Sequence, residues 1–99
     1  MNVERESQPN VLLQDDFSGM VYFYTPICGT CQLASKMLTV VEELVPEKSV
    51  IKLDLNYHPL LAEHLKIESV PCLLVIDSGT IKDRIYAFKS VVDLVDRIL

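Results

Sequence analysis

The sequence predicts an α/β domain, a central mixed sheet of four or five strands with helices on both faces. Three observations carry that expectation. Short apolar runs alternate with segments whose apolar residues recur at helical spacing. A first strand, helix and second strand follow in that order, which demands a right-handed parallel crossover. A later pair of strands is joined by Asp77-Ser78-Gly79, a tight turn that makes them antiparallel. Ninety-nine residues suffice for one core, so the chain reads as a single domain, residues 1–99.

Each element has its own signal. Ser7-Gln8-Pro9 starts a helix expected to reach about Phe17, with Gly19 beyond its end. Met20 to Tyr24, "MVYFY", is a short aromatic and apolar run that reads as a buried strand, ended by Thr25-Pro26. From Cys31 the period changes. Leu33, Met37, Val40, Val41 and Leu44 form the expected apolar stripe of a helix that Pro46 closes after Val45. Val50 to Leu55, "VIKLDL", is a second strand, in which Val50, Lys52 and Asp54 alternate with Ile51, Leu53 and Leu55.

Pro59 opens a short helix through about Lys66, with Leu60, Leu61 and Leu65 on its apolar side. Cys72 to Ile76 is a third strand, and Ile81 to Phe88 returns as a fourth, with Gly79 free to take positive φ in the turn between them. Ser90 is placed as an N-cap with Asp93 three residues on. Val91, Leu94, Val95 and Ile98 give the last helix its buried stripe.

Composition narrows the function. Hydrophobic residues make up 49% of the chain, so it is neither disordered nor fibrous. No apolar run approaches a membrane span. The opening "MNVERESQPN" carries two glutamates and no apolar core, unlike a secretory signal, so a cytoplasmic protein is expected. Three cysteines, an odd number, fit a reducing compartment better than a disulfide-stapled secreted domain. The net charge is -5 and the nine basic residues are scattered, which argues against nucleic acid as a partner.

The chemistry concentrates in "YFYTPICGTCQL", Tyr22 to Leu33. Cys28 sits where the first strand gives way to the helix, and Cys31 lies one turn later, so both sulfurs can face the same way. Unpaired N–H groups at a helix N-terminus favour a thiolate at Cys28 and help Cys31 less. That asymmetry suits one exposed attacker and one sheltered resolver in thiol–disulfide exchange. Two other readings stand beside it. The pair can be two small buried hydrophobes near a turn. It can also be half of a metal site, but zinc usually needs four ligands, and Cys72, His58 and His64 show no second paired motif. No metal and no cofactor are expected. Cys72 reads as a core residue that forms no lasting disulfide with either partner. His58 and His64 read as solvent-facing, Tyr22 and Tyr24 as packing residues, and Lys82, Asp83 and Arg84 as a solvated strand edge.

Over nearly its whole length the chain resembles the thioredoxin family. "FYTPICGTC" is similar to that family's strand, loop and active-site helix, "KLDL" at Lys52 to Leu55 to its second strand, and "IESVPCLLVIDSGTIKDRIYAF" to its proline loop and hairpin. The resemblance implies the thioredoxin fold and a cis proline facing the cysteines, which Val70-Pro71 matches. Its implied role is to let the backbone beside Val70 pair with an extended substrate. Four positions depart from the family pattern. Ile27 stands where a tryptophan is common, Gly29-Thr30 where Gly-Pro is usual, Lys36 where a proline kinks the helix, and Tyr22 where an aspartate is buried. Lys52, the family's partner for that aspartate, is retained and is expected to favour the Cys31 thiolate.

The expected function is therefore a small cytoplasmic thiol–disulfide oxidoreductase, a monomer reducing protein disulfides through Cys28 and Cys31, with Pro71 and Lys52 in the site. A flavin-dependent NADPH disulfide reductase would restore its dithiol. One alternative is a thioredoxin-fold interaction module or dedicated redox partner of one enzyme. Another is a glutaredoxin-like protein, since Ser69-Val70-Pro71 is similar to the glutaredoxin proline loop, although the Gly-Gly signature that binds glutathione is absent.

Overall fold

The computed structural model describes residues 17–99. The helix expected from Ser7 to Phe17 lies outside that range except for its last residue. The described chain runs β1 (Gly19–Tyr24), α1 (Gly29–Leu44), β2 (Val50–Asp54), a single 3-10 turn (Leu55–Tyr57), α2 (Pro59–His64), β3 (Cys72–Asp77), β4 (Thr80–Ile85) and α3 (Val91–Ile98). The four strands form one mixed sheet in the order β2-β1-β3-β4. β1 pairs in parallel with β2 and antiparallel with β3, and β3 pairs antiparallel with β4.

Period-two alternation in β1 sends its side chains to two cores. Met20 and Tyr22 join Leu73 and Val75 beneath Ala34, Leu38 and Val41 of α1 and Leu94 and Ile98 of α3. Val21 and Phe23 face the other way, onto Leu61, Ala62 and Leu65 of α2 and onto Cys72, Leu74 and Ile76. Removing one of the large fully buried side chains, such as Leu38, would cost about 2–5 kcal/mol, a large part of the stability of so small a domain.

The buried stripe of α1 differs from the expected one. The helix turns Cys31, Ala34, Leu38 and Val41 to the sheet, while Leu33 and Leu44 are 57% and 61% exposed. Two apolar stripes overlap on this helix, and periodicity cannot rank them. The small side chains of Cys31 and Ala34 lie on the stripe that packs against β1. In α2 the same ambiguity is resolved against Leu60, which is exposed, and in favour of Ala62. His58, expected in solvent, is buried at the N-cap of α2.

The loop that leads to Pro71 is fixed from behind. α2 ends in a Schellman arrangement. Ile67 N–H donates to the Ala62 carbonyl at 2.9 Å, and Lys66 N–H to that of Glu63 at 3.1 Å. Lys66 occupies the left-handed position, φ 61°, that glycine usually fills. Arg84 was expected to be solvated with the rest of the β4 edge. Instead its Nη1 donates to the Leu65 carbonyl at 2.6 Å and the Lys66 carbonyl at 3.4 Å. Glu68 N–H donates to Tyr86 Oη at 3.2 Å.

The β3–β4 hairpin closes through Ser78 and Gly79, both at positive φ (51° and 78°), the pattern of a two-residue type I′ turn. β4 stops at Ile85, three residues short of the expected Phe88. Its last partner is Leu73, and just before β3 stands Pro71, which has no N–H to continue the ladder. Tyr86 and Phe88 are thereby released to line a cleft. Ser90 caps α3 as expected, its Oγ accepting from Asp93 N–H at 3.0 Å.

Candidate active site

α1 begins at the cysteine pair. Cys28 is its N-cap, in extended geometry (φ -90°, ψ 111°), and Cys28 Sγ accepts from Cys31 N–H at 3.1 Å. The sulfur thus does what a serine or aspartate oxygen does at other helix starts. Cys28 and Cys31 are joined as a disulfide, with Cα atoms 5.1 Å apart, inside the range such bridges occupy. Cys28 is half-buried and Cys31 only 2% exposed, so the two sulfurs differ in access. No acidic residue stands in the first turn of α1, so no carboxylate there opposes a negative charge on Cys28. Thr30 Oγ1 lies 3.4 Å from Cys28 Sγ.

Two hollows flank the pair. A cleft of about 360 Å³ is lined by Thr30, Leu33 and Ala34 of α1 on one side and by Val70, Pro71, Tyr86 and Phe88 on the other. Pro71 therefore lines the same cleft as the active-site helix, and the Val70–Pro71 bond is cis, as expected. Fully exposed Ile27 precedes the cysteine pair, and exposed Leu33 follows it on the same helix. A second hollow, about 400 Å³, touches Cys31 and includes Thr25, Ser35 and Lys36 but no carboxylate.

Tyr22 takes the place under the helix where the family pattern buries an acid. Its ring stacks on Tyr24 at 5.7 Å and meets Phe88 edge-on at 5.9 Å. Its hydroxyl donates to the Cys31 carbonyl at 2.9 Å and lies 3.1 Å from Ser35 Oγ. A phenol has one proton, so Ser35 is the donor in the second contact. Burial pushes the Tyr22 pKa up, the Ser35 hydrogen bond opposes this, and Tyr24 adds slightly to the rise. Tyr22 thus stays neutral at physiological pH and anchors the first turn of α1 without acting as a base.

The other expected site residues fall differently. Lys52 stands beside Tyr22 in the parallel register, but its Nζ pairs with Glu42 Oε1 at 3.1 Å. Glu42 is eleven residues past Cys31 on α1, about 16 Å along the axis. An ammonium committed there is not at the Cys31 sulfur, so the expected approach is not made. Cys72 is fully buried in the α2-side core as a free thiol, and burial raises its pKa from 9.0 to about 11. Among the described residues no three His, Cys, Asp or Glu side chains come together as a metal site. Sequence reasoning passed over the Thr30 hydroxyl, the Tyr22–Ser35 contact and the anchoring by Arg84 and Tyr86. Only Thr30 had a visible signal, its place between the cysteines.

A family model described as Thioredoxin matches residues 2–98. The thioredoxin-like protein YusE of Bacillus subtilis is 51% identical over 79 residues, covering 80% of this chain and 74% of that protein. Thioredoxin Y1, chloroplastic, of Arabidopsis thaliana is 30% identical over 94 residues, covering 94% of this chain and 55% of that protein. Among solved structures, oxidised mitochondrial thioredoxin 3 of Saccharomyces cerevisiae superposes with a TM-score of 0.81 at 19% identity, covering 97% of this chain and 90% of that one. A mutant thioredoxin from Halobacterium salinarum NRC-1 gives 0.78 at 22% identity, covering 90% of this chain and 78% of that one. At those identities the structural likeness establishes the fold.

Proposed function

The chain belongs to the thioredoxin family and is a thiol–disulfide oxidoreductase; from that premise we propose that Cys28 attacks and Cys31 resolves. Proteins of this family typically act on protein disulfides, and the proposed substrate is a disulfide in an extended segment laid along the cleft beside Pro71. The observation that carries this reading is the disulfide at the start of α1, with one sulfur accessible and capping the helix and the other buried.

The Cys28 thiolate attacks one sulfur of the substrate bridge. The substrate S–S bond breaks, a Cys28–substrate bond forms, and the first substrate sulfur leaves as a thiolate that takes a proton from solvent. Cys31 then loses its proton and attacks Cys28 Sγ. The Cys28–Cys31 bond forms and the second substrate sulfur leaves. Two electrons pass from the dithiol to the substrate, and each substrate sulfur ends as a thiol. The Cys31 proton leaves through the hollow lined by Thr25, Ser35 and Lys36, since Tyr22 cannot accept it. Lys52 favours the Cys31 thiolate only when its pair with Glu42 opens. The protein works as a cytoplasmic monomer, and a flavin-dependent NADPH disulfide reductase restores the dithiol.

The test is a trapping experiment. Cys31→Ser should accumulate a mixed disulfide between Cys28 and a substrate protein, and Cys28→Ser should accumulate none. Trapping at Cys31 in Cys28→Ser would reverse the assignment. Re-reduction of the oxidised protein by glutathione alone, with no gain from the flavin reductase, would favour the glutaredoxin-like reading.

A further inference from the structure

Thr30, between the two cysteines, has a hydroxyl that takes no part in the bond exchange between Cys28, Cys31 and the substrate sulfurs. Its Oγ1 is 3.4 Å from Cys28 Sγ. A disulfide sulfur carries no hydrogen, so the hydroxyl is the donor in this contact. The same sulfur accepts from Cys31 N–H at 3.1 Å, so two donors from different parts of the first turn converge on Cys28. Among the described residues the Thr30 hydroxyl has no other hydrogen-bond partner.

Thr39 shows what a threonine further along this helix does. Its Oγ1 donates back to the Ser35 carbonyl at 3.1 Å, one turn behind. Thr30 stands in the first turn, and four residues behind it lies Pro26, outside the helix. It has no helical carbonyl to bond, and its hydroxyl turns to the sulfur. The side chain is exposed and also lines the substrate cleft, so its orientation is not forced by core packing.

We propose that Thr30 is a further catalytic residue, whose hydroxyl donates a hydrogen bond that stabilises the Cys28 thiolate in the reduced protein. The inference rests on the reading of Cys28 as nucleophile. When the bridge opens, the Cys28 thiol loses its proton to solvent, and the two donors that faced a neutral sulfur then face an anion. A hydrogen bond to a charged acceptor is roughly twice as strong as one between neutral groups. Thr30 keeps its own proton throughout and lowers the pKa of the attacker by sharing it. A dipeptide with proline in place of Thr30 offers no such donor, so this active site uses a polar side chain to tune its nucleophile.

The experiment follows iodoacetamide alkylation of Cys28 against pH in the fully reduced protein, with the modified residue mapped by mass spectrometry. Thr30→Val has nearly the same shape and no donor, and Thr30→Ser keeps the donor. Thr30→Val should raise the half-point for Cys28 by about one pH unit. Thr30→Ser should leave it near the wild-type value. Neither change should alter the thermal unfolding midpoint of the oxidised form, because the side chain is exposed. An unchanged half-point in Thr30→Val, with Cys28 still the readily alkylated thiol, would overturn the proposal and leave the assignment of the nucleophile standing. Equal rises in Thr30→Val and Thr30→Ser would also overturn it, because the hydroxyl would then not be the cause. If Cys31 were the readily alkylated thiol, the assignment beneath the proposal would fail, and the proposal with it.

Discussion

At the first turn of α1, Cys28 meets two hydrogen-bond donors and the open end of a helix, whereas at the start of β3 Cys72 meets leucines, valines and the underside of α2. The side chains are the same. At Cys28 the surroundings favour the thiolate. At Cys72 burial disfavours it strongly enough to outweigh both a hydrogen bond from Tyr86 and the charge of Arg84, and the thiol rises to about 11. Reactivity in this protein is thus assigned by backbone position. A strand-to-helix junction leaves N–H groups unpaired, and a central strand leaves none.

The sharpest way to break that comparison is selective alkylation. At neutral pH, a thiol at about 11 has roughly a hundredfold less thiolate than one at 9.0. In reduced native protein Cys72 should stay unmodified while Cys28 reacts, and only denaturant should release it. Measurable labelling of Cys72 in the folded state would show that the α2-side core opens readily.

The next effect is on stability. The unfolded Cys72 thiol ionises near 9.0 and the folded one near 11. Its folded pKa is raised, so the folded state holds the proton longer. The contribution is fully present below about pH 9 and is lost as pH rises through about 11, in total roughly 2–3 kcal/mol. Denaturant unfolding of the oxidised protein, in which Cys28 and Cys31 do not titrate, should show that loss. Cys72→Ala should lack it while retaining disulfide reductase activity. Equal pH slopes in the two proteins would refute the buried-thiol account.

Tyr22→Phe comes third. It removes the donor to the Cys31 carbonyl and leaves Ser35 without its acceptor, at a cost of about 1 kcal/mol in chemical denaturation. Because Tyr22 is neutral, the pH dependence of exchange should be unchanged, and a shifted pH profile would bring the phenol into the proton route. Lys52→Met should have the smallest effect. The Lys52–Glu42 pair is 43% and 36% exposed, so its loss should cost under about 0.5 kcal/mol. Single-turnover kinetics in Lys52→Met and Glu42→Gln separate attack from resolution. Slower resolution in Lys52→Met would place the ammonium near Cys31 during turnover. Unchanged resolution would leave it as a surface partner of α1.

Local patterns were readable wherever a short run of residues decides the outcome. Period two in Met20 to Tyr24, the turn at Ser78-Gly79, the Ser90 cap and the spacing of Cys28 and Cys31 are each set by neighbours in the chain. The sequence by itself therefore determined the order of the strands and helices from β1 to α3, the mixed sheet and the position of the cysteine pair at a helix start. The tertiary structure decided which of two apolar stripes α1 buries, that His58 goes inside, that β4 stops at Ile85 and that Arg84 anchors the carbonyls at the end of α2. It also decided that Lys52 pairs with Glu42. These outcomes depend on partners ten or more residues away, or on how a helix is rotated on the sheet. Neither the identity of a residue nor its period carries that information, because packing chooses among faces that the sequence makes almost equally apolar.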